Sequence, residues 1–228
     1  MKLGVIAFPD YDCGRVLTDV FSRLFKVPVV TIWHKNHLLP KVNAIFLSGG
    51  TMWLEMIGKK NIASFSPIVN ELKKFATEGG YIFGTGEGFR FLCQIGLLPG
   101  KFEPNKNGKF IHKNVYIRID NTCQITKQVD KSVCLKLPVS VKNGQYIAEE
   151  FEISTMRQNQ QILFRYCDES CKISEKINYT GSIDNIAAIC NKTVNVFGIL
   201  PYPERACDAR LGNLNGKFII DSIFASIK

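Results

Sequence analysis

The chain has 228 residues, 46% of them hydrophobic and 21% charged, with a formal net charge of +9. That length can bury a core without disulfide or metal staples, and no run approaches the roughly 18 apolar residues that a membrane-crossing helix needs. Lysines outnumber arginines 21 to 8 and are scattered, with no basic run interleaved with aromatics; base readout and phosphate clamping favour arginine forks, so neither nucleic acid nor membrane is an expected partner.

The first ten residues, MKLGVIAFPD, carry one lysine and a short apolar run. The run stops at Pro9-Asp10 without a small-residue cleavage site, so it reads as a buried strand, Leu3 to Phe8, rather than a signal peptide. The eight cysteines, Cys13, Cys93, Cys123, Cys134, Cys167, Cys171, Cys190 and Cys207, include no CxxC pair. In a domain of this size they are expected to be reduced thiols of a cytoplasmic protein. His34, His37 and His112 are not near Cys167 and Cys171 in the chain, so no metal site is expected.

Pro9 to Gly14 reads as a loop. Val16 to Phe25 then shows helical apolar spacing. Val29 to Trp33 and Ala44 to Leu47 read as strands, the latter running into the glycine turn Ser48-Gly49-Gly50. A helix is expected from Pro67 to Thr77, with Ser66 as N-cap and Gly79-Gly80 as terminator. Tyr81 to Phe83 is a strand that enters Gly84-Thr85-Gly86-Glu87-Gly88 and continues as a helix. Beyond this point short strands are expected at Val115 to Ile119, Val133 to Leu137, Ile162 to Tyr166 and Ile186 to Ile189, joined by polar turns such as Lys142-Asn143-Gly144. Val194 to Leu200 returns to a buried-strand pattern, and Gly216 to Ile227 reads as a closing helix. Alternation of strand and helix predicts an α/β fold, with a doubly wound, mostly parallel sheet flanked by helices and additional short antiparallel strands. One domain over residues 1–228 fits, with no repeat or linker. Ligands in such sheets bind at the carboxyl ends of the strands, where both glycine turns lie.

The GxGxG of Gly84, Gly86 and Gly88 lacks the spacing and position of a dinucleotide fingerprint, and the Lys-Ser/Thr pair of a P-loop. A tight strand-to-helix glycine turn is also the form of a nucleophile elbow, here with no side chain at its apex. The segments KLGVIAFP, AIFLSGG, SPIVNELKKFATEGGYIFG, GFRFLCQIGLLPG, FRYCDE, GSIDNIAAICN and LPYPERA together resemble the glutaminase-subunit family of phosphoribosylformylglycinamidine synthase, within the class I (triad) glutamine amidotransferases. The resemblance runs nearly end to end. It implies a class I amidotransferase, flavodoxin-like fold and a role in purine biosynthesis. It also implies docking on a large synthetase subunit with a small bridging subunit, and no cofactor. Family members use an elbow cysteine to attack the glutamine side-chain amide, a histidine as base, a glutamate that orients the histidine, and backbone N–H groups for the oxyanion.

This chain departs from that pattern at the site. The family elbow Gly-x-Cys-Asn-Gly-Phe-Gln is here Gly84-Thr85-Gly86-Glu87-Gly88-Phe89-Arg90, which puts Gly86 at the cysteine position. The family's Pro-His-Pro-Glu-Arg is here Pro201-Tyr202-Pro203-Glu204-Arg205, so Tyr202 stands for the histidine and only Glu204 matches. The oxyanion loop, Gly49-Gly50-Thr51-Met52-Trp53-Leu54-Glu55, has Leu54 where the family has glycine. The family's Ala-His-Gly-Glu-Gly is Ser140-Val141-Lys142-Asn143-Gly144. Gly49, Gly50, Glu87 and Arg90 are the expected pocket residues, and the losses leave glutamine binding in question. Glycine forms no thioester, and a phenol with a pKa near roughly 10 is a poor base at neutral pH. The expectation is a catalytically degenerate, structural subunit. Two alternatives stand beside it. One is residual glutaminase activity with a substitute nucleophile, Cys13 before Cys93. The other is a ligand-binding module lined by Thr85, Glu87, Arg90 and Tyr202.

Overall fold

Apolar runs bounded by glycine become the strands of the central sheet. A computed structural model describes residues 1–9, 12–48 and 66–227 of the chain. In chain order the strands are β1 Leu3–Ala7, β2 Val29–Trp33, β3 Ala44–Ser48, β4 Tyr81–Thr85, β5 Lys101–Glu103, β6 Ile111–Ile119, β7 Leu135–Val141, β8 Gln145–Ile147, β9 Ile162–Cys167, β10 Ile186–Cys190 and β11 Val196–Ile199. The helices are α1 Asp12–Asp19, α2 Ile68–Thr77, α3 Glu87–Gln94, α4 Glu150–Gln158 and α5 Asn215–Ser226.

Nine of these strands form one sheet in the order β2-β1-β3-β4-β11-β10-β9-β6-β7. The first five are parallel, and every pair from β11 to β7 is antiparallel. The two halves differ in pattern as their packing requires. All residues of β1 and β3 are buried, as in a sheet covered on both faces. In β7 buried positions alternate with more exposed ones, as in a sheet with one wetter face. The expected mixed, mostly parallel α/β architecture is therefore present, and the antiparallel strands extend the main sheet. No described helix is long and apolar enough to cross a membrane.

Several local expectations are corrected. The expected loop Pro9 to Gly14 already turns helical at Asp12, and α1 passes into a π-helical turn at Val20–Leu24. Pro67, not Ser66, occupies the N-cap position of α2; the Ser66 hydroxyl is hydrogen-bonded to Nδ1 of buried His34 at 2.6 Å. The strand expected at Val133 to Leu137 is shifted to Leu135–Val141. Val133 is exposed, and Pro138 is accommodated within β7 because β7 ends the order of the sheet, where a missing N–H breaks no ladder. Strand β6 starts four residues earlier than the expected Val115, pairing Ile111 with Val141. The helix α4 and the two-stranded β5–β8 sheet were not anticipated. Helix α4 opens on Glu149, whose N–H donates to the Glu152 carboxylate at 2.9 Å, a cap without the usual Ser or Thr.

Two features position the site. The β5–β8 pair contributes Phe102 and Tyr146, whose rings lie 4.9 and 5.7 Å from that of Phe89 on α3, and the Tyr146 hydroxyl donates to the Pro99 carbonyl at 3.0 Å. The antiparallel half also curls back. The β7 edge meets the segment after β11, where the Tyr202 N–H donates to the Pro138 carbonyl at 2.9 Å.

Candidate functional site: an elbow filled by a phenol

Parallel pairing brings the site together. Strand β4 lies between β3 and β11, with Ser48 opposite Thr85 and Ile199 opposite Thr85 on the other side. The carboxyl ends of all three strands thus converge on Thr85, and Gly86 comes next. Its N–H donates to the Ile199 carbonyl at 2.9 Å, and its own carbonyl accepts the Phe89 N–H at 3.1 Å as α3 begins. Gly86 has φ +55° and ψ −120°, a region that L-residues adopt only under strain. This is the tight strand-to-helix turn expected from the sequence. Gly88 completes it by close approach, since a Cβ there would run into the Leu47 carbonyl group of β3. The turn therefore rests directly on the neighbouring strand.

Tyr202 occupies the space at the apex. A Cβ on residue 86 would overlap the phenol of Tyr202. The ring is 4% exposed, its hydroxyl is directed to the Ser140 carbonyl at 3.4 Å, and the Arg205 guanidinium stands 5.5 Å from its centroid. Ser140 opens the segment 140–144 singled out in the sequence, so that segment and Tyr202 are in contact.

Glu204 is buried at 2% exposure. Its Oε1 accepts from Thr85 Oγ1 at 2.8 Å and from Ser48 Oγ at 3.2 Å, and its Oε2 has no hydrogen-bond partner among the described residues. Burial pushes its pKa above the ordinary carboxylate value, and the hydroxyl hydrogen bonds only partly offset that. This buried carboxyl is thus held by two hydroxyls. Glu87 and Arg90, expected pocket residues, pair with each other at 2.9 Å on the first turn of α3. Gly49, Gly50, Thr51 and Leu54 lie outside the described residues, as does the side chain of Cys13. Cys93 is buried, its thiol donates to the Pro99 carbonyl at 3.4 Å, and burial together with nearby Glu152 holds its pKa well above the usual thiol value. It is a core thiol at the far end of α3 from the elbow. Among the described residues no group of three or more His, Cys, Asp or Glu side chains is arranged to hold a metal.

The structure thus gathers Gly86, Tyr202 and Glu204 and sets Glu87 and Arg90 beside them. Sequence reasoning missed Ser48 and Ser140 as partners of this cluster. Ser48 was read as opening the glycine turn after Leu47, whereas it ends β3 opposite Thr85. Ser140 was not legible as a partner, because its role depends on the return of β7 to the segment after β11.

Residues 16–217 match the profile of the CobB/CobQ-like glutamine amidotransferase domain family. Curated relatives named phosphoribosylformylglycinamidine synthase subunit PurQ include those of Koribacter versatilis, 35% identical with 100% of this chain and 99% of that protein covered, and of Aquifex aeolicus, 35% identical with 99% and 100% covered. The chain belongs to the PurQ family of glutamine amidotransferases. A solved structure titled PurLQS from Thermotoga maritima superposes on this PurQ-family chain with a TM-score of 0.83 at 26% identity, covering 100% of the chain and 99% of its counterpart. The PurQ fold is thus shared across the whole chain.

Proposed function

We propose that this chain, as one amidotransferase-like unit over residues 1–228, is a glutaminase-dead structural subunit of phosphoribosylformylglycinamidine synthase in purine biosynthesis. Gly86 and Tyr202 hold the nucleophile and base positions of the family triad, and Glu204 the orienting one. The chain docks on a large synthetase subunit together with a small bridging subunit, and the large subunit runs on free ammonia. Amide hydrolysis by the family route requires a thiolate to attack the glutamine side-chain carbonyl, a base to take its proton, and donors for the oxyanion. Loss of a nucleophile alone costs about 10⁶ in turnover in a well-studied hydrolase.

The observation that carries the reading is the phenol of Tyr202 in the volume a side chain at residue 86 would need. The ring stands where the family's nucleophile side chain would project, so it supports a site without the family's thiol chemistry rather than one merely lacking its cysteine. The raised thiol pKa and core position of Cys93 speak against its use as a substitute. The deciding experiment reconstitutes the chain with the large and bridging subunits and supplies glutamine or ammonium in turn. Product with ammonium and none with glutamine is expected, with the ammonium-driven rate falling when this chain is left out. Robust glutamine-dependent product would overturn the reading.

A further inference from the structure

Past Tyr202 the chain makes the 3₁₀ turns Pro203–Ala206 and Ala209–Leu211 and enters α5. Along this stretch Leu211, Leu214 and Phe218 are 67%, 44% and 51% exposed. Leu214 and Phe218 stand four residues apart at the start of α5, which makes them neighbours on one side of it. Exposed apolar side chains scattered singly are ordinary, but a cluster of them rimmed by charge marks a contact surface. The rim here is of one sign. Arg205, Arg210 and Lys217 are exposed, whereas both acidic residues of 203–218, Glu204 and Asp208, are buried.

The stretch is pinned along its length. The buried Asp208 carboxylate accepts from Arg23 at 3.0 Å and from Arg210 at 2.6 Å. Asn213 Nδ2 donates to the Lys136 carbonyl at 2.8 Å, and Asn215 Oδ1 accepts the Lys136 N–H at 2.8 Å, which ties the stretch to β7. A Cβ at Gly216 would run into the Pro203 carbonyl group, so α5 begins directly against the turn that follows Tyr202. Apolar side chains on a segment anchored in this way are presented to a partner without the ordering cost of a loose loop.

We propose that Leu211, Leu214 and Phe218, rimmed by Arg205, Arg210 and Lys217, are the surface by which this chain docks on the large synthetase subunit, against an apolar patch edged with carboxylates. The identity of the partner rests on the functional reading above; its surface chemistry follows from charge complementarity. A second copy meeting the same surface across a two-fold axis would set these cations against their own counterparts, which repels. A nucleic acid would suit the cations but would leave the leucines and the phenylalanine against phosphates. A protein surface with an apolar centre and an acidic edge answers both parts, and interface centres favour large apolar side chains and arginine.

The test titrates the full chain into the large subunit, with the bridging subunit present, and follows binding by calorimetry at low and moderate salt. Leu214→Ser combined with Phe218→Ser should weaken binding about tenfold or more and leave the urea midpoint unchanged, because both side chains are exposed. Lys217→Glu should weaken binding and flatten its decline with salt. Phe151→Ser, at an aromatic 71% exposed on α4, should bind as the unaltered chain does. If a variant folds poorly, hydrogen exchange of the unaltered chain decides, since the amides of 209–218 should gain protection on mixing. Full-strength binding by the double variant, or no gain in protection at 209–218, would overturn this surface and leave the functional reading standing. Self-association of the unaltered chain that the double variant abolishes would do the same, in favour of a second copy. Failure of the unaltered chain to bind the large subunit would overturn both.

Discussion

At the scale of single residues, Gly86 and Tyr202 form one unit. Because residue 86 sits at φ +55°, any side chain there carries a backbone cost of about 1–3 kcal/mol, and because its Cβ meets the Tyr202 phenol, the ring must also move. Gly86→Cys is therefore expected to lower the unfolding free energy by at least that backbone cost in urea titration, and, on the proposed reading, to show no glutaminase activity, since Tyr202 stands at the position assigned to the base. The steric part is shared, so Gly86→Cys combined with Tyr202→Ala should be less destabilised than the sum of the single changes. A double-mutant cycle should return a favourable coupling of about 0.5–3 kcal/mol; additive values would show that the ring and residue 86 do not compete for space. His34 gives a second prediction at this scale. Burial, then the charge of Lys35, lowers its pKa from 6.5 to about 4. The unfolded chain takes up a proton that the folded state resists, so this contribution is intact above about pH 6.5 and is lost as pH falls toward about 4, on the order of 3 kcal/mol in all. Glu204 acts in the opposite sense, its raised pKa giving stability at low pH that is lost as pH rises through the folded value. Urea midpoints compared between the wild-type chain and His34→Gln isolate the histidine: the wild-type should lose more stability than the variant on going from neutral to mildly acidic pH, and parallel curves would refute it.

At the scale of elements, the elbow is a packing problem before it is a chemical one. Helix α3 can start where it does only because Gly88 lets its first turn lie on the Leu47 carbonyl group of β3. Gly88→Ala would push the helix off backbone, which cannot swing aside as a side chain can. A loss of about 1–3 kcal/mol or more is expected, read as a lowered denaturation midpoint, whereas Gly108→Ala, in open space at φ +66°, should cost only its backbone strain. The glycines at 84, 86 and 88 were legible from sequence because their spacing has a backbone meaning. So were the parallel strands, whose unbroken apolar runs reflect burial on both faces. The antiparallel half was legible in kind and imprecise in extent. In β7 the period of two was interrupted by Pro138, which reads as a strand end unless the strand is known to lie at an edge. Helix α4 escaped because its cap is glutamate to glutamate and its apolar face is short, with only Ile153 and Met156 buried. The β5–β8 pair is three residues on each side, too short for any periodicity. Tyr202 was read from the resemblance as standing at the base position, but its overlap with the space at residue 86 was not foreseen, since that depends on the return of β7 toward β11.

At the scale of the whole molecule, the proposed reading implies that a chain of the PurQ family with Tyr202 over Gly86 has lost its response to the family's substrate. A ligand that binds only the folded state stabilises the entire cooperative unit by mass action, by about 2.7 kcal/mol at about 100 times its dissociation constant. For a chain of this size that is a rise of about 5–10 °C in Tm, at roughly 2–4 °C per kcal/mol. On the proposed reading, glutamine would have to displace the Tyr202 ring from contacts with Ser140 and Arg205, and Glu204 Oε1 is already engaged by Thr85 and Ser48. Saturating glutamine is therefore expected to leave the Tm of this chain unchanged, while the large and bridging subunits raise it when mixed with the chain, because association buries surface that glutamine never reaches. Tyr202→Ala separates a plugged site from one that is altered beyond use. If the ring alone excludes glutamine, the variant, although less stable, should gain a glutamine-dependent rise that the parent lacks. If the variant is equally silent, the changes in segment 140–144 and at Leu54 have removed the binding surface as well. A glutamine-dependent rise in the unaltered chain would show that Tyr202 yields to the substrate and that the pocket still opens.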